Sequence, residues 1–303
     1  MKKDTAEDSD PVIRRLKTLA KYSPYLKDAA GLYEAILPLL RDARIQTVPA
    51  SLTAKRARSK METGVPLLHY LDLELEVEAV HKLMLQLACR VEKFYEGRQE
   101  GNNALPSTQA ARRIRELLEE NKLNIIWLLS SAAAGGRHLM TSASQSFGID
   151  AGLLWILTQN ALRPALRAWR RQLTPIVEGI SWYKGSCFVC GADATLGEFQ
   201  GNNQVKHLRC IQCGADWPFR RLQCMYCDNE DHTTLGYLYP ESQREKLRVE
   251  VCEKCKGYLK VITTFSATQP EMLPVEDLAT LHLDYIAQER GYVRQACSEG
   301  APN

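Results

Sequence analysis

Before Cys187 the sequence has one cysteine, Cys89. Long apolar runs are missing too. The most apolar stretch, LNIIWLLSSAAAG from Leu123 to Gly135, is shorter than the roughly 20 residues a helix needs to span a bilayer. A buried helix is expected there, with no stable membrane insertion. The opening MKKDTAEDSD is polar and mixed in sign, with no apolar segment behind it. That argues against a secretory signal and leads us to expect a cytoplasmic protein. Excess charge is lacking as well: 39 basic residues face 36 acidic ones, a net charge of +3. Such balance makes no strong case for nucleic acid or an anionic membrane as partner. There is no phosphate loop, no dinucleotide fingerprint and no H-E-x-x-H motif. No catalytic residue is therefore identified, and the chain reads as a non-enzyme.

What is present falls into two unlike parts. The 303 residues leave room for about two domains. With 45% hydrophobic and 25% charged residues, the chain can bury a core without disulfides. In the first part the apolar spacing is helical. Leu73, Val77, Val80, Met84, Leu87 and Val91 recur at intervals of four and three and predict one helix, stopped by Gly97 and Gly101. Pro106 opens another, expected to run unbroken to Gly135. A third follows Asp150 with Leu154, Leu157, Ala161 and Trp169, and Pro164 should kink or restart it. GLYEAILPLLRDA, from Gly31, is a shorter helical stretch. The basic strip RRLKTLAKY and the cluster Arg163, Arg167, Arg170, Arg171 read as solvated helix faces. In the second part HLRC, TLGYLY, LRVEVC and YLKVITTF read as short antiparallel strands. Pro274, Glu276 and Asp277 open a closing helix, with Leu278, Leu281 and Tyr285 on its buried face and Gly291 at its end. Helices followed by small strands place the fold in the α+β class.

Eight of the ten cysteines crowd into this second part as four C-x-x-C pairs: Cys187/Cys190, Cys210/Cys213, Cys224/Cys227 and Cys252/Cys255. Reducing cytosol disfavours a disulfide frame, so the pairs point to a metal. Two C-x-x-C knuckles on neighbouring hairpins complete a tetrahedral S4 site of the zinc-ribbon kind. The first and second pairs are 19 residues apart and the third and fourth 24. The simplest partition is sequential. Cys187, Cys190, Cys210 and Cys213 form one site; Cys224, Cys227, Cys252 and Cys255 form the other. Gly191 and Gly214 each follow a second cysteine, where a tight knuckle favours glycine. Zinc and a single iron suit S4 coordination equally. Lys206, Arg209, Lys254 and Lys256 are candidates to offset the negative charge of such centres. His207 and His232 lie near the pairs, but eight thiols already fill two sites. A thioredoxin-like redox pair would need a helix start beside a βαβ unit, which is absent. Cys89 reads as a small core residue and Cys297 as a free thiol in a tail.

The segments CFVCG, LRCIQCGADW, RRLQCMYC and RVEVCEKCKGYLK, followed by VEDLATLHLDYIAQERGY, resemble the formate dehydrogenase accessory protein family, FdhE. The resemblance is strong over just above a third of the chain. It implies a cytoplasmic maturation factor that binds the catalytic subunit of a respiratory formate dehydrogenase during assembly, before export. It also implies rubredoxin-like metal sites on the eight paired cysteines, making iron a competitor to zinc. The expected organisation is a helical bundle over 1–184, metal modules over 185–219 and 220–270, and a C-terminal helix and tail over 271–303. Where the family usually has proline after the first cysteine, this sequence has Phe188, and its tail YVRQACSEGAPN also departs.

Two other functions compete. A metal ribbon could bind nucleic acid, but ten basic residues meet ten acidic ones between 187 and 260. An S4 iron could instead serve electron transfer. Trp217, Phe219 and Tyr226 read singly as core; together, in so small a module, they could form an exposed patch that binds a client.

Overall fold

The computed structural model describes residues 10–45, 47, 52–69, 71, 75–96, 106–133 and 139–294. Leu73, Gly97, Gly101, Gly135 and Cys297 lie outside them. The chain divides into two compact units, one of residues 1–50 and 72–169, the other of 51–71 and 170–303.

The first unit is helical. α1 (Pro11–Tyr22) starts where the Asp10 carboxylate accepts the N–H of Val12 at 2.8 Å, and Val12, Leu16 and Leu19 are its buried stripe. Arg41 of α2 (Lys27–Asp42) pairs with that same carboxylate. In α4 (Val77–Glu96) the predicted stripe is buried at Val80, Met84, Leu87 and Val91. Arg112 and Arg115 of α5 (Pro106–Glu119) each reach Glu92 of α4 at 2.7 Å.

The helix expected from Pro106 to Gly135 is in fact two. α5 ends at Glu119 and α6 covers Ile125–Ala133. Between them Asn121 takes a left-handed φ of 52°, and Lys122 N–H returns to the carbonyl of Leu117. Asn124 then caps the new helix by accepting the Trp127 N–H at 2.9 Å. After α7 (Leu139–Phe147), α8 (Ala151–Leu173) runs through Pro164 without restarting. The proline removes one rung, while Leu157, Ala161, Leu162 and Ala165 are buried on either side of it.

The second unit is built on one six-stranded sheet in the order β3-β2-β1-β6-β5-β4. Its strands are β1 (Leu196–Gln200), β2 (Val205–Arg209), β3 (Asp216–Pro218), β4 (Leu235–Leu238), β5 (Leu247–Cys252) and β6 (Tyr258–Thr264). Both halves follow one plan: knuckle, hairpin of two strands, knuckle, third strand. The expected antiparallel pairings occur within each half. One pairing differs from expectation: β1 and β6 lie parallel, from Gly197 opposite Val261 to Gln200 opposite Thr264, and join the halves.

The closing helix is also two, α9 (Leu273–Ala279) and α10 (Leu281–Glu289), parted at Thr280, whose hydroxyl donates back to the Glu276 carbonyl at 2.7 Å. This break rephases the helix. Leu283, Asp284 and Ala287 are buried, Leu278 and Leu281 only half-buried, and Tyr285 is 58% exposed, contrary to the predicted face. Leu283 and Ala287 join Val249, Val251, Tyr258 and Tyr292 in a core under this side of the sheet. A charge network, buried at Lys260 and Asp284 and open to solvent at Arg294, holds the helices there. Lys260 meets Asp277 at 2.8 Å and Asp284 at 2.7 Å, and Arg294 meets the same two carboxylates at 3.0 and 2.9 Å. No helix among the described residues is long and apolar enough to cross a membrane.

Candidate metal centres

The four C-x-x-C pairs adopt nearly the same turn. In three, the N–H of the residue after the second cysteine returns to the carbonyl of the first: Gly191 to Cys187, Gly214 to Cys210 and Asp228 to Cys224. In all four, the first cysteine's N–H reaches past the turn, to Ala192, Ala215, Asn229 and Gly257. The residue after the second cysteine is always left-handed: Gly191 at 79°, Gly214 at 78°, Asp228 at 55° and Lys256 at 58°. The turn points both thiols to one side and leaves N–H groups free for sulfur. Val189 donates to the Cys187 Sγ at 3.4 Å, and Gly257 to the Cys255 Sγ at 3.3 Å.

The eight thiols gather as two quartets, Cys187/Cys190/Cys210/Cys213 and Cys224/Cys227/Cys252/Cys255, with the Sγ atoms of each within 4.8 Å of one another. A metal about 2.3 Å from four tetrahedral sulfurs sets them about 3.8 Å apart. Cys187 and Cys213 are 3.5 Å apart, Cys190 and Cys210 3.6 Å, Cys224 and Cys255 3.6 Å, and Cys227 and Cys252 3.8 Å. A disulfide would need about 2.0 Å. The donor set therefore fits an S4 ion of zinc or iron size. The quartets differ in setting: the first is buried throughout, while Cys227 and Cys255 of the second are half-buried.

Electrostatics shows why such a cluster wants a cation. Burial pushes up the thiols of Cys213 and Cys224, and takes Cys255 to about 11. Hydrogen bonding with Cys187 pushes Cys190 up. Two thiols go the other way. Cys187, Cys190 and Cys213 pull Cys210 down. At Cys252 burial acts upward, but hydrogen bonds from the Cys255 backbone, the Asn229 amide and the Lys254 backbone outweigh it and hold the thiol at about 7. Cys210 and Cys252 are thus disposed to ionise, while Cys190, Cys213, Cys224 and Cys255 resist; four adjacent thiolates need a positive ion among them.

Most cations expected to moderate that charge are committed elsewhere. Arg209 pairs with buried Glu198, Lys206 with Glu250 at 2.5 Å, and Lys256 with Glu253. Lys254 is exposed. His207 pairs with Asp216 at 2.7 Å, outside both quartets, and His232 is exposed. Cys89 is half-buried on α4. The aromatic patch does not exist. Trp217, Phe219 and Tyr226 are buried, Trp217 donating to the Lys184 carbonyl at 3.0 Å and Tyr226 to the Tyr258 carbonyl at 3.0 Å.

Two contributors carried no signal in the sequence. Asn229 donates its amide to the Cys252 Sγ at 3.5 Å. The segment after α3 (Ala54–Glu62) braces the first knuckle, with Leu67 N–H on the Phe188 carbonyl at 2.7 Å and Leu68 N–H on that of Val189 at 2.9 Å. There the His69 ring lies so close that a β-carbon on Gly191 would fall 2.2 Å from its Nε2.

Comparison with known proteins fits this architecture. A family model described as FdhE, C-terminal domain, matches residues 222–299. An FdhE homolog of Aquifex aeolicus is 26% identical over 191 residues, 61% of either chain. One from Stutzerimonas stutzeri is 36% identical over 113 residues, 36% of either chain. These two alignments thus span less than two thirds of the relatives' length. One from Haemophilus ducreyi is 27% identical over 290 residues, covering 93% of this chain and 85% of that one. The crystal structure of the FdhE protein from Pseudomonas aeruginosa superposes with a TM-score of 0.59 at 25% identity, over 93% of this chain and 91% of that one. The chain is thus similar to FdhE proteins along most of its length, and residues 222–299 match the FdhE C-terminal domain.

Proposed function

We propose that the protein is a formate dehydrogenase accessory factor, a cytoplasmic, non-catalytic binding protein that engages the catalytic subunit during assembly, before export. The observation that carries this reading is the pair of cysteine quartets on one sheet within a chain of FdhE type. Cys187, Cys190, Cys210 and Cys213 would hold one ion, and Cys224, Cys227, Cys252 and Cys255 the other. Iron there would be of rubredoxin type and able to exchange one electron, whereas zinc would only brace the fold. With four thiolates apiece, both centres are closed and keep no open position for substrate, which favours binding over catalysis. Deleting the gene should abolish respiratory formate oxidation while transcription of the dehydrogenase genes stays unchanged. Normal formate oxidation in a deletion strain with no second copy would refute the reading. Affinity capture from formate-grown cells, with metal analysis of the same sample, identifies the client and the ion together.

A further inference from the structure

One face of the sheet carries the α9–α10 helices; the other carries Phe199, Lys206, Tyr237, Arg248, Glu250 and Thr263. The register sets this, with Phe199 opposite both Lys206 and Thr263 and Tyr237 opposite Glu250. A cleft of about 510 Å³ opens on this face, and Arg244, Lys246 and Arg248 line it against a single carboxylate, Glu245. Its guanidinium groups are held in place. Arg248 lies 4.0 Å from the Phe199 ring and 4.5 Å from that of Tyr237. Arg244 lies 4.5 Å from the Tyr239 ring, and at the rim Arg221 lies 5.1 Å from Phe199 while donating to the carbonyls of Asn203 and Gln204. Arg248 already bonds Glu250 at 2.8 Å. Arg221, Arg244 and Lys246 have no carboxylate partner among the described residues.

A guanidinium stacked on a ring has lost most of its side-chain freedom while its N–H edge stays open to a planar anion. Such a group binds a carboxylate in a bidentate manner at little further entropic cost. We infer that this cleft binds an acidic segment of another polypeptide, with Arg244 and Lys246 making the direct contacts. A nucleic acid fits less well. It needs a continuous basic track and free aromatic faces for its bases, whereas here the cations cluster and each ring already faces a guanidinium. The inference depends neither on the identity of the client nor on the metal.

The test is anisotropy of a fluorescein-labelled hexaglutamate peptide titrated with the metal-loaded full chain. Hexalysine and an oligothymidylate serve as further probes. Saturable hexaglutamate binding that weakens with salt is expected, with no binding of hexalysine. The double variant Arg244→Glu/Lys246→Glu, both exposed positions, should bind at least about tenfold more weakly. Tyr239→Leu, which frees the Arg244 stack but keeps every charge, should weaken it a few-fold, and it decides the matter if the double variant fails to fold. Absent binding, binding unchanged in a folded variant, or tighter binding of the oligothymidylate would overturn the assignment.

Discussion

Four residues after the second cysteines hold a left-handed backbone, and only two of them, Gly191 and Gly214, are glycine. Asp228 tolerates that region better than most side chains, but Lys256 does not. A residue with a β-carbon loses about 1–2 kcal/mol there, part of which a glycine returns as unfolded-state entropy. Lys256→Gly should therefore stabilise the metal-loaded protein by about 0.5–1 kcal/mol, with little lost from the exposed Lys256–Glu253 pair. Gly191→Ala should destabilise by at least about 1–2 kcal/mol, because the His69 ring must also move. Urea unfolding of each variant measures both signs. Lys206 offers a second test. It is 1% exposed and pairs with Glu250, which keeps Arg248 as another partner. Lys206→Met should therefore cost about 3 kcal/mol, the lower end for breaking a buried pair. Most of that should return in the double variant Lys206→Met/Glu250→Leu, as a double-mutant cycle would read.

At the scale of elements, the α9–α10 helices sit on the sheet through a charge network, and this sets a pH dependence. Burial of Asp277 acts to raise its pKa, yet the Lys260 and Arg294 charges hold it below the ordinary 3.8. A depressed carboxylate contributes stability that is fully present above the unfolded pKa and lost as pH falls through the folded value. The wild-type melting temperature should thus fall more steeply below about pH 4 than that of Asp277→Asn. Thermal scans across this window check it. What was legible in the sequence is also clearest among the elements. Four C-x-x-C pairs and alternating Leu, Val and Tyr foretold the knuckles and four of the strands, because both signals are local. The break at Asn121 was missed because apolar residues continue across it and two asparagines alone carry the stop. Thr280 hid a second break in the same way. The bracing segment at Leu67 and Leu68 was invisible for another reason: its partners are backbone carbonyls of Phe188 and Val189, far along the chain, and such contacts leave no residue pattern.

Across the whole molecule, the two quartets should not behave alike. The first is buried at every ligand; the second leaves Cys227 and Cys255 half-buried. A chelator such as EDTA should therefore strip metal in two phases, the second quartet first. Cys224→Ser should remove the fast phase and Cys210→Ser the slow one, as a colorimetric chelator would record. Loss of both ions from either variant would show instead that the sites load as one. Helical content should persist in both variants, since α1, α2 and α4 to α7 lie within the other compact unit.

The repeated plan of the two halves has a consequence for self-association. The parallel seam sets the first strand of one half against the last strand of the other. The sheet's outer strands are the remaining pair of the same kind, β3 at one end and β4 at the other. By that plan, one molecule's β3 could receive the β4 of the next, and chains could add end to end into a filament. β3 is cut to three residues, against seven in β6. Phe219 N–H turns inward to the Lys206 carbonyl, so by alternation residues 216 and 218 face outward. Residue 218 is proline and has no N–H to offer. The rim that could propagate the repeat is thus left with a single donor, that of Asp216, which disfavours end-to-end growth by strand pairing at this edge.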